Sequence, residues 1–189
     1  MKILGVILAA GLSSRFKGNK MLFSYNGKPL LQWTIDLVNI FELDKILIVN
    51  TKWDNYKNNF NLYNFKIIEN KNYKKGISSS VKLAIKYALT KRYDSVLIFL
   101  GDMPLIPEEV INTVINFETE KLIVAPYYNG KKGFPTLIKK ELFNDILKLE
   151  GDAGIKQIIK KHPEYVEKIE VDVPEITVDF DVNPEKQIT

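Results

Sequence analysis

Residues 3–20 read ILGVILAAGLSSRFKGNK, and this stretch decides which fold the sequence predicts. The apolar run Ile3–Leu8 has the length and continuous hydrophobicity of a strand buried on both faces of a parallel sheet. Small residues follow, which let backbone N–H groups approach a ligand closely, and then come three cations, Arg15, Lys17 and Lys20. Backbone N–H groups combined with fixed cations suit a polyphosphate. The stretch therefore predicts a nucleoside-triphosphate loop at the end of the first strand.

The same segment also resembles a secretory signal peptide, because its apolar run leads into small residues that could form a cleavage site. The cations that follow directly oppose export. The apolar run is also short for such a segment, at about ten residues. The α/β pattern of the remaining chain needs this strand as well. We therefore expect an intracellular, cytoplasmic protein.

The composition indicates a single domain, residues 1–189, that favours small anionic ligands. The hydrophobic content of 46% is enough for a sizeable core. The net charge of +4 is too small to indicate nucleic acid binding. The absence of cysteine excludes disulfides, thiolate metal sites and a cysteine nucleophile. The single histidine, His162, is expected to cap a helix or lie on the surface, and no apolar run is long enough for a membrane span.

Apolar periodicity predicts the order β-α-β-β-α-β-α-β for the first two thirds of the chain. Residues 30–41 have helical spacing, whereas residues 45–49 and 95–100 are strongly apolar and predict buried strands. A serine at 78–80 is expected to cap the next helix. This order predicts a Rossmann-like, three-layer α/β/α fold with a mostly parallel sheet, in which ligands bind beyond the carboxyl ends of the strands.

The last third of the chain changes character, because turns alternate there with short segments. Residues 166–171 and 176–180 alternate in the manner of strands. We expect this part to add antiparallel strands to the edge of the sheet and to cover the ligand cleft.

A carboxylate follows the most hydrophobic of these runs, in Gly101-Asp102. Mg²⁺ takes one or two carboxylates together with substrate phosphates, which makes Asp102 a candidate metal ligand; a turn aspartate before proline is the alternative. Asp179 or Asp181 could complete the site, since alternation places both on one face of the predicted strand. Surface acids near the C-terminus are the alternative for this pair.

These motifs, taken in order, resemble those of the MobA-like NTP transferase family, and more narrowly its molybdenum cofactor cytidylyltransferases. The first family motif, Leu-Ala-Ala-Gly-x-Ser-x-Arg-Met-Gly-x-x-Lys, is matched by residues 8–11, Ser13, Arg15 and Lys20, although Lys17 replaces the family's glycine. The further matches are Gly27-Lys28-Pro29-Leu30-Leu31, Asn72 with Gly76-Ile77-Ser78-Ser79-Ser80, Gly101-Asp102-Met103-Pro104, Gly133-Phe134-Pro135, Gly151-Asp152-Ala153-Gly154 and Asp179-Phe180-Asp181.

The resemblance implies a nucleotide-diphospho-sugar transferase-like fold with a nucleotide-binding half, residues 1–127, and an acceptor-side half, residues 128–189. It implies catalytic roles for Arg15, Lys20 and Asp102, and Mg²⁺ held by Asp102 and Asp181. The implied nucleotide-binding set is Leu8, Ala9, Ala10, Gly11, Ser13, Ser14, Arg15, Lys20, Asn72, Gly76 and Ser79. The implied acceptor-binding set is Gly133, Pro135, Thr136, Asp152 and Gly154.

The reaction implied by the resemblance is transfer of a nucleoside monophosphate, from CTP by the motif pattern, to molybdopterin, with release of pyrophosphate. Guanylyl transfer to molybdopterin and transfer to a sugar 1-phosphate are alternatives within the same chemistry. A non-catalytic nucleotide-binding chaperone for cofactor insertion is an alternative of another class. An NAD-dependent oxidoreductase would need Gly-x-Gly-x-x-Gly after the first strand, and only Gly11 and Gly18 occur there.

Overall fold

Strands and helices alternate along most of the chain. The computed structural model describes residues 1–11 and 18–180. Within them the strands are β1 (Ile3–Leu8), β2 (Ser24–Tyr25), β3 (Lys28–Pro29), β4 (Asp44–Val49), β5 (Lys66–Glu69), β6 (Ser95–Leu100), β7 (Ile123–Tyr128), β8 (Lys131–Lys132), β9 (Thr136–Lys139) and β10 (Val166–Glu170). The helices are α1 (Leu30–Asn39), α2 (Ile77–Thr90), α3 (Glu108–Asn116), α4 (Phe143–Ile146) and α5 (Lys156–Lys161). Short 3₁₀ turns cover Lys20–Leu22, Trp53–Asn55, Lys57–Asn59, Tyr73–Lys75, Lys140–Leu142, Pro163–Tyr165 and Pro174–Thr177.

The main sheet has the order β10-β7-β9-β6-β1-β4-β5, with β8 paired to β7. β1 is parallel to both of its neighbours, β4 and β6, which explains why all six of its residues are buried. β5 and β10 also pair in parallel with their neighbours. The predicted mostly parallel Rossmann-like sheet is therefore confirmed.

The position of the antiparallel strands differs from the prediction. β9 pairs antiparallel with both β6 and β7, so it lies inside the sheet, and the outermost strands β5 and β10 are parallel to their neighbours. Short antiparallel segments are typical of sheet edges, but residues 136–138 are almost fully buried and therefore suit an interior position. Because β9 is antiparallel to β6, its first residue, Thr136, lies near the edge where the parallel strands end.

Helices cover both faces of the sheet. Leu31, Ile35 and Val38 of α1 recur at helical spacing and are fully buried, and they pack with residues of α3 on one face. The apolar stripe of α2 packs with α4 and α5 on the other face. The three predicted layers follow from this division. No helix in the described ranges is long and apolar enough to cross a membrane.

The start of α2 corrects the prediction that a serine at 78–80 caps it. The helix begins at Ile77, and Gly76 occupies the N-cap position with a φ of 90°. Ser79 lies in the first turn, where its hydroxyl donates to the carbonyl of Gly76 at 2.8 Å. The chain enters the helix through a conformation that glycine adopts without strain, so the helix starts before the serines.

The strand predicted over residues 176–180 does not form. Pro174 instead begins the 3₁₀ turn Pro174–Thr177, in which Ile176 is fully buried and its carbonyl accepts from Phe134 N–H at 3.0 Å. Val178 is 40% exposed. The alternation in the sequence therefore reflects one buried anchor residue followed by an exposed one, and not a sheet strand.

The core on the α2 face predicts a large penalty for truncating Phe143, whose side chain is fully buried. Phe143→Ala should lower the free energy of unfolding by about 3–5 kcal/mol, because it removes buried surface and leaves a cavity. Phe117, which is 40% exposed, provides the matched control. Urea unfolding should show a loss for Phe117→Ala of at most about 1 kcal/mol. Equal losses in the two variants would contradict this view of the core.

Candidate functional site

The carboxyl ends of β1 and β6 lie side by side and bring two predicted loops together. Leu8 pairs with Leu100 in the parallel register, and Gly101 N–H donates to the carbonyl of Leu8 at 3.0 Å. Ala9 N–H donates to the carbonyl of Ile48 in β4 at 2.8 Å. The small residues 9–11 and Gly101-Asp102 therefore meet at one edge of the sheet.

A buried ion pair links these loops. The Lys20 ammonium lies 2.6 Å from Asp102 Oδ2, and the two side chains are only 5% and 17% exposed. Lys20 begins a 3₁₀ turn that is fixed by Asn19, whose side chain accepts from Met21 N–H at 3.1 Å. The resemblance implies catalytic roles for both Lys20 and Asp102, and in the structure their side chains contact each other directly.

Gly101 allows this close arrangement. A Cβ there would lie 3.0 Å from Leu31 Cδ1 and 3.2 Å from both Ala9 Cβ and Met21 Sδ. The Thr34 hydroxyl, fully buried in α1, donates to the Gly101 carbonyl at 3.4 Å. The backbone before Asp102 is thereby held against α1 and the first loop, which fixes where the carboxylate emerges.

The C-terminal segment returns to the same place. Phe180 N–H donates to the Asp102 carbonyl at 3.4 Å, and the Phe180 ring contacts Tyr25 edge-on at 4.9 Å between centroids. Asp179 lines the cleft beside this contact. Asp181 lies outside the described residues, as do Ser13, Ser14 and Arg15.

A second polar network lies at the start of α2. Asn70 is 3% exposed, and its amide donates to the hydroxyls of Ser79 at 2.8 Å and Ser80 at 2.9 Å. Its Oδ1 accepts from Asn72 N–H at 2.9 Å. Asn70 therefore holds two of the predicted nucleotide-binding residues, Asn72 and Ser79, in place. This role was not predicted from the sequence, although an asparagine just after the β5 run is a detectable signal.

Gly76 joins this network to the turn at 151–154. A Cβ on Gly76 would lie 2.3 Å from Asp152 Oδ1 and 2.6 Å from the backbone of Gly151. Ser78 N–H donates to the Gly151 carbonyl at 3.1 Å. The start of α2, predicted to bind nucleotide, therefore contacts the turn predicted to bind the acceptor.

A cleft of about 360 Å³ lies between α2, the ends of β6 and β9, and the 151–156 segment. Four residues of the predicted nucleotide-binding and acceptor-binding sets line it, namely Leu8, Thr136, Asp152 and Gly154. Its lining comprises Leu8, Ile77, Val81, Ile98, Leu100, Met103, Lys131, Lys132, Phe134, Thr136, Asp152, Ala153, Gly154, Ile155, Lys156, Ile176, Thr177 and Asp179.

Gly133 and Pro135, which the sequence assigns to the acceptor site, do not line the cleft. A Cβ on Gly133 would lie 2.6 Å from the backbone oxygen of Ile176, and Gly133 N–H donates to the carbonyl of Pro126 at 2.8 Å. Pro135 follows a cis peptide bond after Phe134. Phe134 and Thr136, the neighbours of Pro135 in the chain, do line the cleft.

Lys132 lines the cleft and was not predicted from the sequence. Its ammonium donates to the Thr136 hydroxyl and, at 2.9 Å, to the Gly133 carbonyl, and lies 4.2 Å from the centre of the Phe134 ring. Burial, reinforced by the charge of Lys156, lowers the pKa of Lys132 to about 7. The sequence signal was a lysine directly before Gly133-Phe134-Pro135, and the scattered lysines of the chain obscured it.

The residues around Asp102 fit a divalent ion bound together with phosphates. The described part of the chain contains no group of three or more metal-ligating side chains. Mg²⁺ needs only one or two carboxylates when substrate phosphates supply the other oxygens. Lys20 contacts one oxygen of the Asp102 carboxylate, Oδ2, and a carboxylate has a second.

Comparison with known proteins identifies the family. Residues 5–166 match the MobA-like NTP transferase domain. The chain belongs to this family. It is therefore a nucleotidyltransferase family member, as the sequence predicts.

Two relatives carry different names. The chain is 32% identical over 162 residues to a probable molybdenum cofactor guanylyltransferase of Thermococcus sibiricus, covering 84% of this chain and 75% of the relative. It is 27% identical over 187 residues to the molybdenum cofactor cytidylyltransferase of Escherichia coli, covering 97% and 93%. Relatives of this chain thus differ in the nucleotide that their names specify.

Solved structures share the fold. A nucleotidyl transferase from Methanothermobacter thermautotrophicus superimposes with a TM-score of 0.82 at 18% identity, covering 98% of this chain and 94% of that one. Rv0371c of Mycobacterium tuberculosis in complex with manganese gives a TM-score of 0.78 at 20% identity, covering 99% and 97%. The predicted nucleotide-diphospho-sugar transferase-like architecture is confirmed at the level of the fold.

The buried ion pair predicts strong coupling between Lys20 and Asp102. Lys20→Met should lower the free energy of unfolding by about 3–5 kcal/mol, because it leaves a carboxylate poorly exposed and unpaired. The double variant Lys20→Met/Asp102→Asn should be more stable than Lys20→Met alone, since neither charge remains. Urea unfolding of both single variants and the double variant measures the coupling.

The pair Lys28–Asp36 is the matched control, because its ammonium–carboxylate distance is also 2.6 Å but its side chains are 35% and 28% exposed. Lys28→Met should cost about 1 kcal/mol or less. Additive single-variant effects at Lys20 and Asp102 would show that the pair is not coupled.

The contact at Gly76 predicts that Gly76→Ala is strongly destabilising. Its φ of 90° and its approach to Gly151 leave no room for a methyl group, so the expected loss is about 2–5 kcal/mol. Gly130 has a φ of 73°, but nothing lies within 4 Å of the place that a methyl group would take there. Gly130→Ala should therefore lose only about 1 kcal/mol from backbone strain in the same urea assay. Equal effects would mean that the approach to the 151–154 turn has little energetic weight.

Proposed function

We propose that the protein transfers a cytidylyl group from CTP to the phosphate of molybdopterin and releases pyrophosphate. The observation that carries this proposal is the buried Lys20–Asp102 pair at the joined ends of β1 and β6, beside the small residues 9–11. A cation and a carboxylate at this edge suit a triphosphate and its counterion.

Charge is the main barrier to this reaction, because both substrates are anions. Lys20 provides a point charge for the triphosphate, and Arg15 provides a planar donor group that suits phosphate oxygens. The backbone of residues 9–11 approaches the nucleotide closely, since its side chains are small. An oxygen of the acceptor phosphate attacks the α-phosphorus, and the bond to the β-phosphate breaks. The attacking phosphate is already ionised, so no general base is required.

The divalent ion in this proposal is Mg²⁺, held by Asp102 with Asp181 as its second carboxylate. When bound, the ion neutralises charge that develops on the phosphate oxygens. The manganese complex of Rv0371c supports a divalent ion in a protein of this fold. The direct contact of Asp102 with Lys20, at 2.6 Å, orients the carboxylate for this role.

The acceptor is proposed to occupy the cleft beside the ion pair. Leu100 and Met103, which flank Gly101-Asp102 in sequence, both line it. Thr136, Asp152 and Gly154 of the predicted acceptor set line it as well. A phosphate in the cleft would therefore lie next to the loop that carries Asp102.

GTP is the second candidate nucleotide, and the relative from Thermococcus sibiricus, named a guanylyltransferase, favours it. The motif Leu8-Ala9-Ala10-Gly11 and the Gly76-to-Ser80 segment favour CTP, because they resemble the cytidylyl branch of the family. A protein that bound nucleotide without any transfer would instead be a chaperone for cofactor insertion.

The proposed function predicts pyrophosphate release from CTP, in the presence of Mg²⁺ and molybdopterin, that exceeds release from GTP or ATP. The assay measures pyrophosphate for each nucleotide with molybdopterin and, separately, with a sugar 1-phosphate. Lys28→Met, which alters a lysine outside the site, is the control for Lys20→Met, and both are assayed at a temperature at which circular dichroism shows them folded, because Lys20→Met is also expected to be destabilising. Only Lys20→Met should lose most of the activity, by about 100-fold or more. Faster release from GTP would overturn the choice of CTP, and release with a sugar 1-phosphate alone would overturn the acceptor. Nucleotide binding without release in any combination would favour the chaperone.

A further inference from the structure

We propose that Lys132 is a phosphate-binding residue of the acceptor cleft, with Lys156 as the second cation of the same subsite. The identity of the acceptor rests on the proposed function, but the anion subsite does not. Phosphate monoesters are the class of ligand that this arrangement suits.

The geometry directs the Lys132 ammonium into the cleft wall. The ammonium donates hydrogen bonds to the Thr136 hydroxyl and the Gly133 carbonyl, which hold it at the start of β9, and it lies over the Phe134 ring. Both acceptors are neutral, and an ammonium has three N–H donors. The ammonium is thus fixed in position while its charge is not neutralised by these contacts.

No carboxylate in the described ranges lies within ion-pair distance of Lys132, in contrast to Lys20. The other charged groups that line the cleft are Lys131 of β8, Lys156 of α5, Asp152 and Asp179. Burial and the nearby Lys156 together lower the pKa of Lys132 to about 7. A desolvated cation beside a second cation is unfavourable unless an anion binds there.

The position of Lys132 suits an acceptor. Thr136, which accepts from Lys132, pairs with Ile98 of β6, and both residues line the cleft. Leu100 lies two residues after Ile98 in β6 and is followed by Gly101-Asp102. An anion on Lys132 would therefore share the cleft wall that leads to the Lys20–Asp102 pair.

The alternative is a structural lysine that only fills space between Phe134 and Thr136. Such a lysine would contribute to folding through its hydrogen bonds, and removing it would destabilise the protein. A ligand-binding lysine has the opposite effect, because replacing a desolvated, unpaired cation with a neutral side chain removes a penalty. The two roles can therefore be separated by experiment.

The first test follows the Lys132 ammonium directly. The full chain is labelled with ¹³C at lysine Cε, the Lys132 resonance is assigned with Lys132→Arg, and pH titrations are recorded with and without inorganic phosphate. We expect phosphate to raise the pKa of Lys132, because the dianion binds the charged form more tightly. Lys160, an exposed residue of α5 that does not line the cleft, should show no change. A pKa of Lys132 that phosphate leaves unchanged would overturn the proposal.

The second test compares Lys132→Met with Lys160→Met. Lys132→Met should weaken inorganic phosphate binding by about tenfold, which corresponds to loss of one charge-assisted contact. Its thermal midpoint without phosphate should equal or exceed that of the wild type. A lowered midpoint with unchanged phosphate affinity would assign Lys132 a structural role and overturn the subsite.

Activity measurements separate this inference from the proposed function. If CTP supports pyrophosphate release, Lys132→Met should raise KM for the acceptor and leave KM for CTP unchanged. Unchanged acceptor KM would overturn the subsite and leave the proposed function standing. If phosphate raises the pKa of Lys132 but no nucleotide supports release, the subsite stands and the proposed function fails.

Discussion

The parallel pairing of β1 with β6 is the constraint on which the site depends. Because Leu8 and Leu100 are direct partners, the loops that follow them start at the same level of the sheet. Gly101 then packs tightly against Ala9 and Leu31, since a Cβ there would lie 3.2 Å and 3.0 Å from their side chains, and this packing restricts the loop. Asp102 emerges from this packed junction against Lys20, so a buried ion pair is possible only because the strand register brings the two loops together. A shift of one residue in this register would separate them.

The antiparallel strand β9 has a comparable role for the cleft. Inserted between β6 and β7, it starts at the edge where the parallel strands end. The residues before it must approach this edge, and Gly133 lets them do so while packing against the carbonyl of Ile176. An edge strand in the same direction would have placed Thr136 and Lys132 far from β6. The position of β9 thus determines which side chains line the cleft next to Asp102.

Sequence patterns predicted those features of the structure that depend on residues close together in the chain. The continuous apolar runs of β1 and β6 indicated buried parallel strands, and the ordered motifs indicated the family. The interior position of β9 was not predictable in this way, since strand order depends on pairings between distant residues. The apolar residues Ile176 and Val178 have the spacing of a strand in the sequence, but only Ile176 is buried, as the anchor of a 3₁₀ turn. Asn70 and Lys132 were missed because their significance arises from neighbours that are remote in sequence, namely Ser79 and Ser80 in one case and Lys156 in the other.

Lys20 and Lys132 show how environment separates the roles of the same side chain. Lys20 faces a carboxylate at 2.6 Å, so its charge is balanced inside the protein and its position is fixed before any ligand binds. Lys132 faces a hydroxyl, a carbonyl and an aromatic ring, and the charge that helps to lower its pKa is that of another lysine, Lys156. The charges of Lys20 and Asp102 balance each other, whereas the three lysines that line the cleft, Lys131, Lys132 and Lys156, outnumber its two carboxylates, Asp152 and Asp179. An anionic acceptor would be attracted to this excess of positive charge, and Leu100 and Met103 in the same lining place it next to the loop that carries Asp102.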